Sequence, residues 1–299
     1  MKESLRIGSE EHGRLFCSTF IQTHRPFEPS DIVWPDLDEE SLSRLKGLPV
    51  WDEAARTEAA TAVKVQTLGE TETDPILKEA IALQGYEEGR HAEIINLLTR
   101  KYGIPTASYR EPERPKNPTW TFLRTGYGEC LDSFFAFGLF DIGRRTEYFH
   151  KDIVDLFDQI MQEEARHILF IVNWAAYLRA RRPFALRPVF DARRAWNILA
   201  QAFDRVKGAM QMAGGGNGDG GEKKGTQDGF TLKSHSAFGD FKLRSFLELC
   251  LAENERRLSV YDPLLLRPTL VPGAVKVLVK MLPKPKPGRG TRDAGLEPK

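Results

Sequence analysis

Between Trp51 and Ala213 apolar residues return every three or four positions over long stretches, interrupted by short breaks that contain Pro or Gly. This is the spacing of helices that each bury one face, and no strand-like alternation competes with it. The first helix is expected from about Val50 to Gly69. The second opens after Asp74-Pro75, where Asp caps and Pro fits the first turn, and runs to about Tyr102-Gly103. A Pro-rich stretch from Ile104 to Pro118 then gives the chain enough length to travel along a bundle before a third helix begins near Thr119. A fourth helix is expected from about Lys151 to Arg181, after a break between Gly143 and His150. A fifth, Asp191 to Met212, places Trp196, Leu199, Phe203, Val206 and Met210 on one stripe and is expected to pack across the others.

The pattern divides the chain. Residues 1–49 lack it and are expected to be irregular; residues 50–212 form the helical body. Residues 213–233, which include the run AGGGNGDGGEKKGTQDG, are mostly Gly and polar residues and are expected to be a flexible linker. Residues 234–283 form a C-terminal helical arm with a strong stretch from Phe238 to Tyr261, followed by the basic-amphipathic PGAVKVLVKMLPK. Residues 284–299 are expected to be a disordered basic tail. The fold class is therefore all-α.

Charge and cysteine content narrow the function classes. Lys plus Arg number 43 against 42 for Asp plus Glu, so no overall field draws the chain to nucleic acid. Cys17, Cys130 and Cys250 lie far apart and form no C-x-x-C, against a disulfide framework, a zinc ribbon or a rubredoxin-type site. No long apolar run occurs and the N-terminal residues lack the apolar core of a signal peptide, so a cytoplasmic protein is expected. In the C-terminal arm, Val275, Val277, Leu278, Val279 and Leu282 alternate with Lys276, Lys280 and Lys284. Such a pattern is able to seat on an anionic membrane, but the stretch is short, and a cap on the helical body is the favoured reading. A homodimer is one of the assemblies left open.

The candidate chemistry sits in a repeated string. Glu87-Glu88-Gly89-Arg90-His91 and Glu163-Glu164-Ala165-Arg166-His167 are both E-E-x-R-H, and one such string arises by chance in roughly one chain of this length in several hundred. A Glu and a His three residues apart share one helix face, so a carboxylate oxygen and an imidazole nitrogen can reach the same ion. The rows they stand on are otherwise nearly all apolar. One is Leu77, Ile81, Gln84, Glu88, His91, Ile95, Leu98, and the other is Phe157, Ile160, Glu164, His167, Ile171, Trp174, Leu178. Both pairs thus project into the core, where an ionised carboxylate is costly unless it meets a cation. A surface acid paired with a neighbouring base is the plain alternative, and the apolar rows count against it. A buried ion-pair network built on Arg90 and Arg166 is a second.

The E-E-x-R-H form closely resembles the D/E-E-x-R-H motifs of bacterial multicomponent di-iron monooxygenases, within the ferritin-like di-iron carboxylate superfamily. The resemblance covers about residues 50 to 180. It implies a ferritin-like four-helix bundle with extra C-terminal helices, in which Glu88, His91, Glu164 and His167 are metal ligands. Glu87, Glu163, Arg90 and Arg166 would then orient the imidazoles and balance charge. The other two helices should each add a Glu. Glu58 is the candidate on the first, on a stripe with Trp51, Ala55, Ala62 and Val65. On the third, both Glu129 and Asp132 lie on one face with Phe122, Ala136 and Leu139; Glu129 is favoured as ligand with Asp132 as an acceptor for a histidine N–H, and the reversed assignment is the alternative.

Such a donor set suits iron, with manganese also accommodated, better than zinc, and two ions per chain are expected. The resemblance implies chemistry with O₂ or peroxide, an electron donor such as a reductase or ferredoxin, and a small organic substrate. Phe134, Phe135, Phe137 and Phe140 are candidates to line an apolar pocket for that substrate, although Phe at helical spacing more often forms plain core. Rubrerythrins would add paired C-x-x-C motifs, and the radical-generating ribonucleotide reductase subunit would place a Tyr where Ile95 or Ile171 stands. An oxidase or oxygenase is the leading expectation; an iron-storing or peroxide-detoxifying protein without an organic substrate is the alternative.

Overall fold

The computed structural model describes residues 5–107, 110–213 and 243–283. These residues form α-helices joined by loops and two single 3₁₀ turns, with no strand among them. In chain order the helices are α1 (Glu10–Gln22), α2 (Glu39–Lys46), α3 (Trp51–Thr71), α4 (Pro75–Tyr102), α5 (Pro118–Arg145), α6 (Lys151–Arg181), α7 (Arg187–Ala213), α8 (Leu243–Ser259) and α9 (Leu270–Met281).

Local chemistry sets the boundaries. The Asp74 carboxylate accepts from the amides of Ile76 and Leu77, Pro75 occupies the first turn of α4, and Gly103 in the left-handed conformation ends it. Asn117 caps α5 by accepting from the Trp120 amide, again with Pro in the first turn. His150 caps α6 through its Nδ1, which accepts from the Asp152 amide. Helices α3 to α6 therefore fall close to their expected limits, and α7 begins four residues earlier than its stripe suggested.

Helices α3 and α4 pack along each other in antiparallel fashion: Gly69 lies against Ala82, Gly85 against Gln66 and Gly89 against Ala62. A Cβ on Gly85 would stand 2.9 Å from the Gln66 side chain and 3.2 Å from its backbone nitrogen. Only glycine allows the two backbones this close, one turn before Glu88. Helices α5 and α6 pair likewise, with Phe122 edge-on to Trp174 and Gly126 against Ile171. The two pairs join through α3 on α5 and α4 on α6.

Two apolar clusters lie among these helices and those packed on them. One holds Val65, Leu68, Leu77, Ile81, Phe122, Leu169 and Trp174. The other holds Trp51, Ala55, Ile95, Leu98 and Ile153. Along α3, α4 and α6 the positions between them carry Glu58, Glu88, His91, Glu164 and His167, a polar layer between two dry ones.

Residues 1–49, expected to be irregular, instead contribute α1 and α2. Helix α1 lies against both α4 and α6, with Phe16 and Phe20 buried on Phe170 and His12 Nε2 hydrogen-bonded to Asn173 Oδ1 at 3.1 Å. The arm docks on the body as expected. Arg257 of α8, 1% exposed, donates to Asp158 of α6 at 2.7 Å, and α9 packs on α8 and α5. Apart from Ala213, the Gly-rich stretch 213–233 lies outside the described residues, as do residues 234–242 and 284–299. The expected inward packing of the α7 stripe does not occur. Helix α7 rests on α5 and α6 by its opposite face, through Phe190 and Gln201, and leaves Trp196, Leu199 and Phe203 exposed.

Candidate metal centre

Because 3.6 residues make one turn, Glu88 and His91 of α4 emerge on the same side, as do Glu164 and His167 of α6. Glu58 of α3 reaches the same place. Glu58, Glu88, His91 and Glu164 each offer one donor atom, and those atoms lie within 4.8 Å of one another. His167 adjoins them, its Nδ1 standing 3.1 Å from Glu88 Oε1 and 3.8 Å from Glu164 Oε1. His91 Nδ1 is 3.2 Å from Glu164 Oε1 and 3.7 Å from Glu58 Oε2. The two imidazole rings are 5.7 Å apart.

The far side of each histidine is held by the other motif. His91 Nε2 donates to Glu163 Oε2 at 2.8 Å, and His167 Nε2 donates to Glu87 Oε2 at 2.9 Å. Arginines follow the same cross: Arg90 donates to Glu163 at 2.6 Å, and Arg166 donates to Glu87. With Nε2 protonated, each Nδ1 lone pair is turned toward the carboxylates. Asp132, expected to take a histidine N–H, does not: both of those protons go to Glu87 and Glu163.

The N-terminal segment closes this outer layer. His24 Nδ1 donates to Glu87, Arg166 donates to the Phe20 carbonyl at 3.2 Å, and Arg90 donates to the carbonyls of Arg25 and Phe27 at 3.2 and 3.3 Å. Arg90 also lies over the Phe27 ring and Arg166 over Phe20. This contribution was invisible in the E-E-x-R-H strings, although Phe16, Cys17 and Phe20 at helical spacing after Ser9-Glu10-Glu11 carried a signal for α1.

Glu129 of α5 presents two carboxylate oxygens that are shut off from solvent and make no hydrogen bond. His91 Nδ1, His167 Nδ1 and Glu164 Oε1 are likewise buried without a hydrogen-bond partner. Polar atoms in a protein interior are almost always satisfied, so this many unsatisfied donor-type atoms on neighbouring residues call for an occupant. Their charge states agree. Burial, then the negative charges of Glu88 and Glu164, push the Glu129 carboxyl well above the usual carboxylate range. Burial also pushes Glu88 up, against the pull of His167. For His91, burial favours the neutral ring, but the bond to Glu163 and the nearby carboxylates of Glu164 and Glu58 outweigh it and raise the imidazole well above its ordinary value. His167 is raised in the same sense, burial being overcome by Glu88 and Glu87.

The outer acids behave in the opposite way. Burial resists ionisation of Glu87, yet His167, Arg166 and His24 together hold it far below the usual range. Glu163 is lowered by His91 and Arg90 against its own burial. The outer layer is thus a charged frame in which Glu87 and Glu163 are each paired with a histidine and an arginine, although the Nε atoms of Arg90 and Arg166 are themselves without a hydrogen-bond partner. Lys64 of α3, which the motifs gave no reason to single out, feels the same site: burial pushes its ammonium down while Glu129 and Glu88 pull it back.

A cavity of about 110 Å³ is lined by Leu45, Leu48, Val50, Trp51, Ala136, Leu139, Phe140, Ile153, Phe157 and Met161, among others, and by none of the candidate ligands. Met161 stands one turn before Glu164 on α6. Of the four phenylalanines considered for such a pocket only Phe140 lines it; Phe134 and Phe137 are plain core, and Phe135 stacks on Phe246. No helix among the described residues is long and apolar enough to cross a membrane. No family model, no curated protein and no solved structure matches the chain.

Proposed function

We propose that the chain is a ferritin-like di-iron carboxylate oxidoreductase that uses O₂ or peroxide to oxidise or hydroxylate a small apolar substrate. The observation that carries this reading is the group of Glu58, Glu88, His91 and Glu164 donor atoms within 4.8 Å of one another, accompanied by the buried, unpartnered atoms His91 Nδ1, His167 Nδ1, Glu164 Oε1 and both oxygens of Glu129. Glu58, Glu88, His91, Glu129, Glu164 and His167 would hold two iron ions, four carboxylates against two imidazoles, a set that manganese also accepts. Iron in such a site supplies the electron steps that reduction of O₂ or peroxide requires.

The chain's own contribution is positional. Glu87 and Glu163 fix the imidazole tautomers and planes. The apolar clusters on either side exclude water, which strengthens every charge interaction inside. Carboxylates that carry protons in the metal-free state release them as cations bind. The apolar cavity next to Met161 favours an organic substrate over iron storage or peroxide removal alone. Turnover would draw on an external reductase or ferredoxin.

Anaerobic titration with ferrous iron, followed by exposure to O₂, tests the proposal. Two irons per chain, oxygen uptake and near-ultraviolet absorption of ferric iron are expected. Fewer than one iron per chain, with zinc preferred, would rule the reading out.

A further inference from the structure

Helix α7 carries an apolar seam that nothing among the described residues covers. Phe184 in the turn before it, then Val189, Trp196, Leu199 and Phe203, are 83%, 65%, 72%, 65% and 67% exposed. Large aromatic side chains bury roughly 150–250 Å² each and Val and Leu somewhat less, so these three aromatics and two aliphatics together present on the order of 700 Å². That exceeds the roughly 300–600 Å² of the largest patch on an ordinary monomer, and it approaches the about 800 Å² per partner of a standard interface.

The spacing says what shape covers it. Val189, Ala192, Trp196, Leu199 and Phe203 alternate steps of three and four, the narrow seam of a helix that pairs with another helix, and in the sequence Val206 and Met210 continue the same steps. Ala195 and Ala202 flank the seam and let a second backbone come close. The chain's own residues 214–242 contain no such repeat.

A lipid surface is a poorer match. Such a helix offers free basic side chains beside a broad apolar face, whereas the arginines from Arg187 to Arg194 are engaged. Arg193 lies over the Trp120 ring at 3.9 Å and Arg194 over Tyr127, Arg179 pairs with Asp191, and Arg187 donates to backbone carbonyls. The seam itself is uncharged from Val189 to Phe203 apart from that folded-back Arg193, so two copies of it can face each other across a two-fold axis without like-charge repulsion.

We infer that α7 is a homodimerisation helix, its seam packed against the same seam of a second copy of this chain. The metal-centre reading is not needed for this. Sedimentation velocity of the full chain at micromolar concentrations is expected to give twice the chain mass. Trp196→Glu and Leu199→Lys, both at exposed positions, should each return the single-chain mass with unchanged far-ultraviolet circular dichroism. A wild-type chain that stays monomeric, or a dimer that survives both substitutions, overturns the inference. A monomer that pellets with vesicles rich in anionic lipid, and loses that ability on Trp196→Glu, also overturns it and assigns the seam to a membrane surface.

Discussion

In the metal-free protein Glu129 works against folding, and replacing it should make that state more stable. Both of its oxygens are buried without a hydrogen bond, and the carboxyl is forced toward its protonated form by burial and by Glu88 and Glu164. A buried acceptor left unsatisfied costs about 1–3 kcal/mol. Leucine has nearly the shape of the side chain and no polar atom, so Glu129→Leu should recover about 2 kcal/mol. For a body of about 200 residues each kcal/mol moves Tm by roughly 2–4 °C, which predicts a rise of about 4–8 °C for the metal-free variant. The sign reverses once metal is added. Wild-type protein gains stability in proportion to the logarithm of metal concentration over Kd, and the variant, lacking one ligand, gains less. Thermal melts followed by circular dichroism, after chelation and after addition of ferrous iron or Mn²⁺, measure both halves. A metal-free Glu129→Leu protein that melts several degrees below wild type would show that the carboxylate is already satisfied and that the argument from unpartnered donors fails.

Glu88→Ala and His167→Ala should each abolish stoichiometric iron binding while keeping most of the helical circular dichroism; retained stoichiometry in both would refute the ligand assignment. Asp132→Ala should keep its iron, since both histidine N–H groups already have acceptors, and metal analysis of the purified variant decides this. Glu87→Ala strands the buried guanidinium of Arg166 and should cost about 3–5 kcal/mol in denaturant unfolding, a large share of the roughly 5–15 kcal/mol by which domains are stable. Gly138→Ala would set a Cβ 2.4 Å from Cys250 Sγ on α8, and an overpacking cost of about 1–3 kcal/mol should appear as faster proteolysis of the C-terminal arm.

The helices that carry the centre were legible because local rules and burial agree on them. Asp74-Pro75 and Asn117-Pro118 start helices wherever they stand, and the apolar rows through Glu88 and Glu164 pointed inward in sequence as they do in space. That Glu87 and Glu163 orient the histidines was legible, but which acid serves which histidine was not. Glu87 and Glu163 share their strings with His91 and His167, but each serves the histidine of the other string, and that depends on how α4 and α6 are rotated against each other. Asp132 was misjudged for the same reason, since a small error in helix rotation changes which acid meets an imidazole. In α7 the apolar stripe was read correctly as a stripe. Periodicity states that a face is apolar, not what covers it, and Trp196, Leu199 and Phe203 face away from the body. Residues 1–49 looked irregular because α1 and α2 are short and their polar residues dilute the pattern.

The crossed pairing of the two strings has a mechanical meaning. A slip of α6 past α4 by one turn, about 5.4 Å, would break the bonds of Glu87 to His167 and Arg166 and those of Glu163 to His91 and Arg90 in a single step. The four contacts therefore act as a register lock between two hairpins, closed before any cation arrives. Neither hairpin alone can orient even one of the histidines. The centre is consequently all-or-none: separated halves of the chain should lack a weak version of it, and the intact chain should accept metal with little change in helix content.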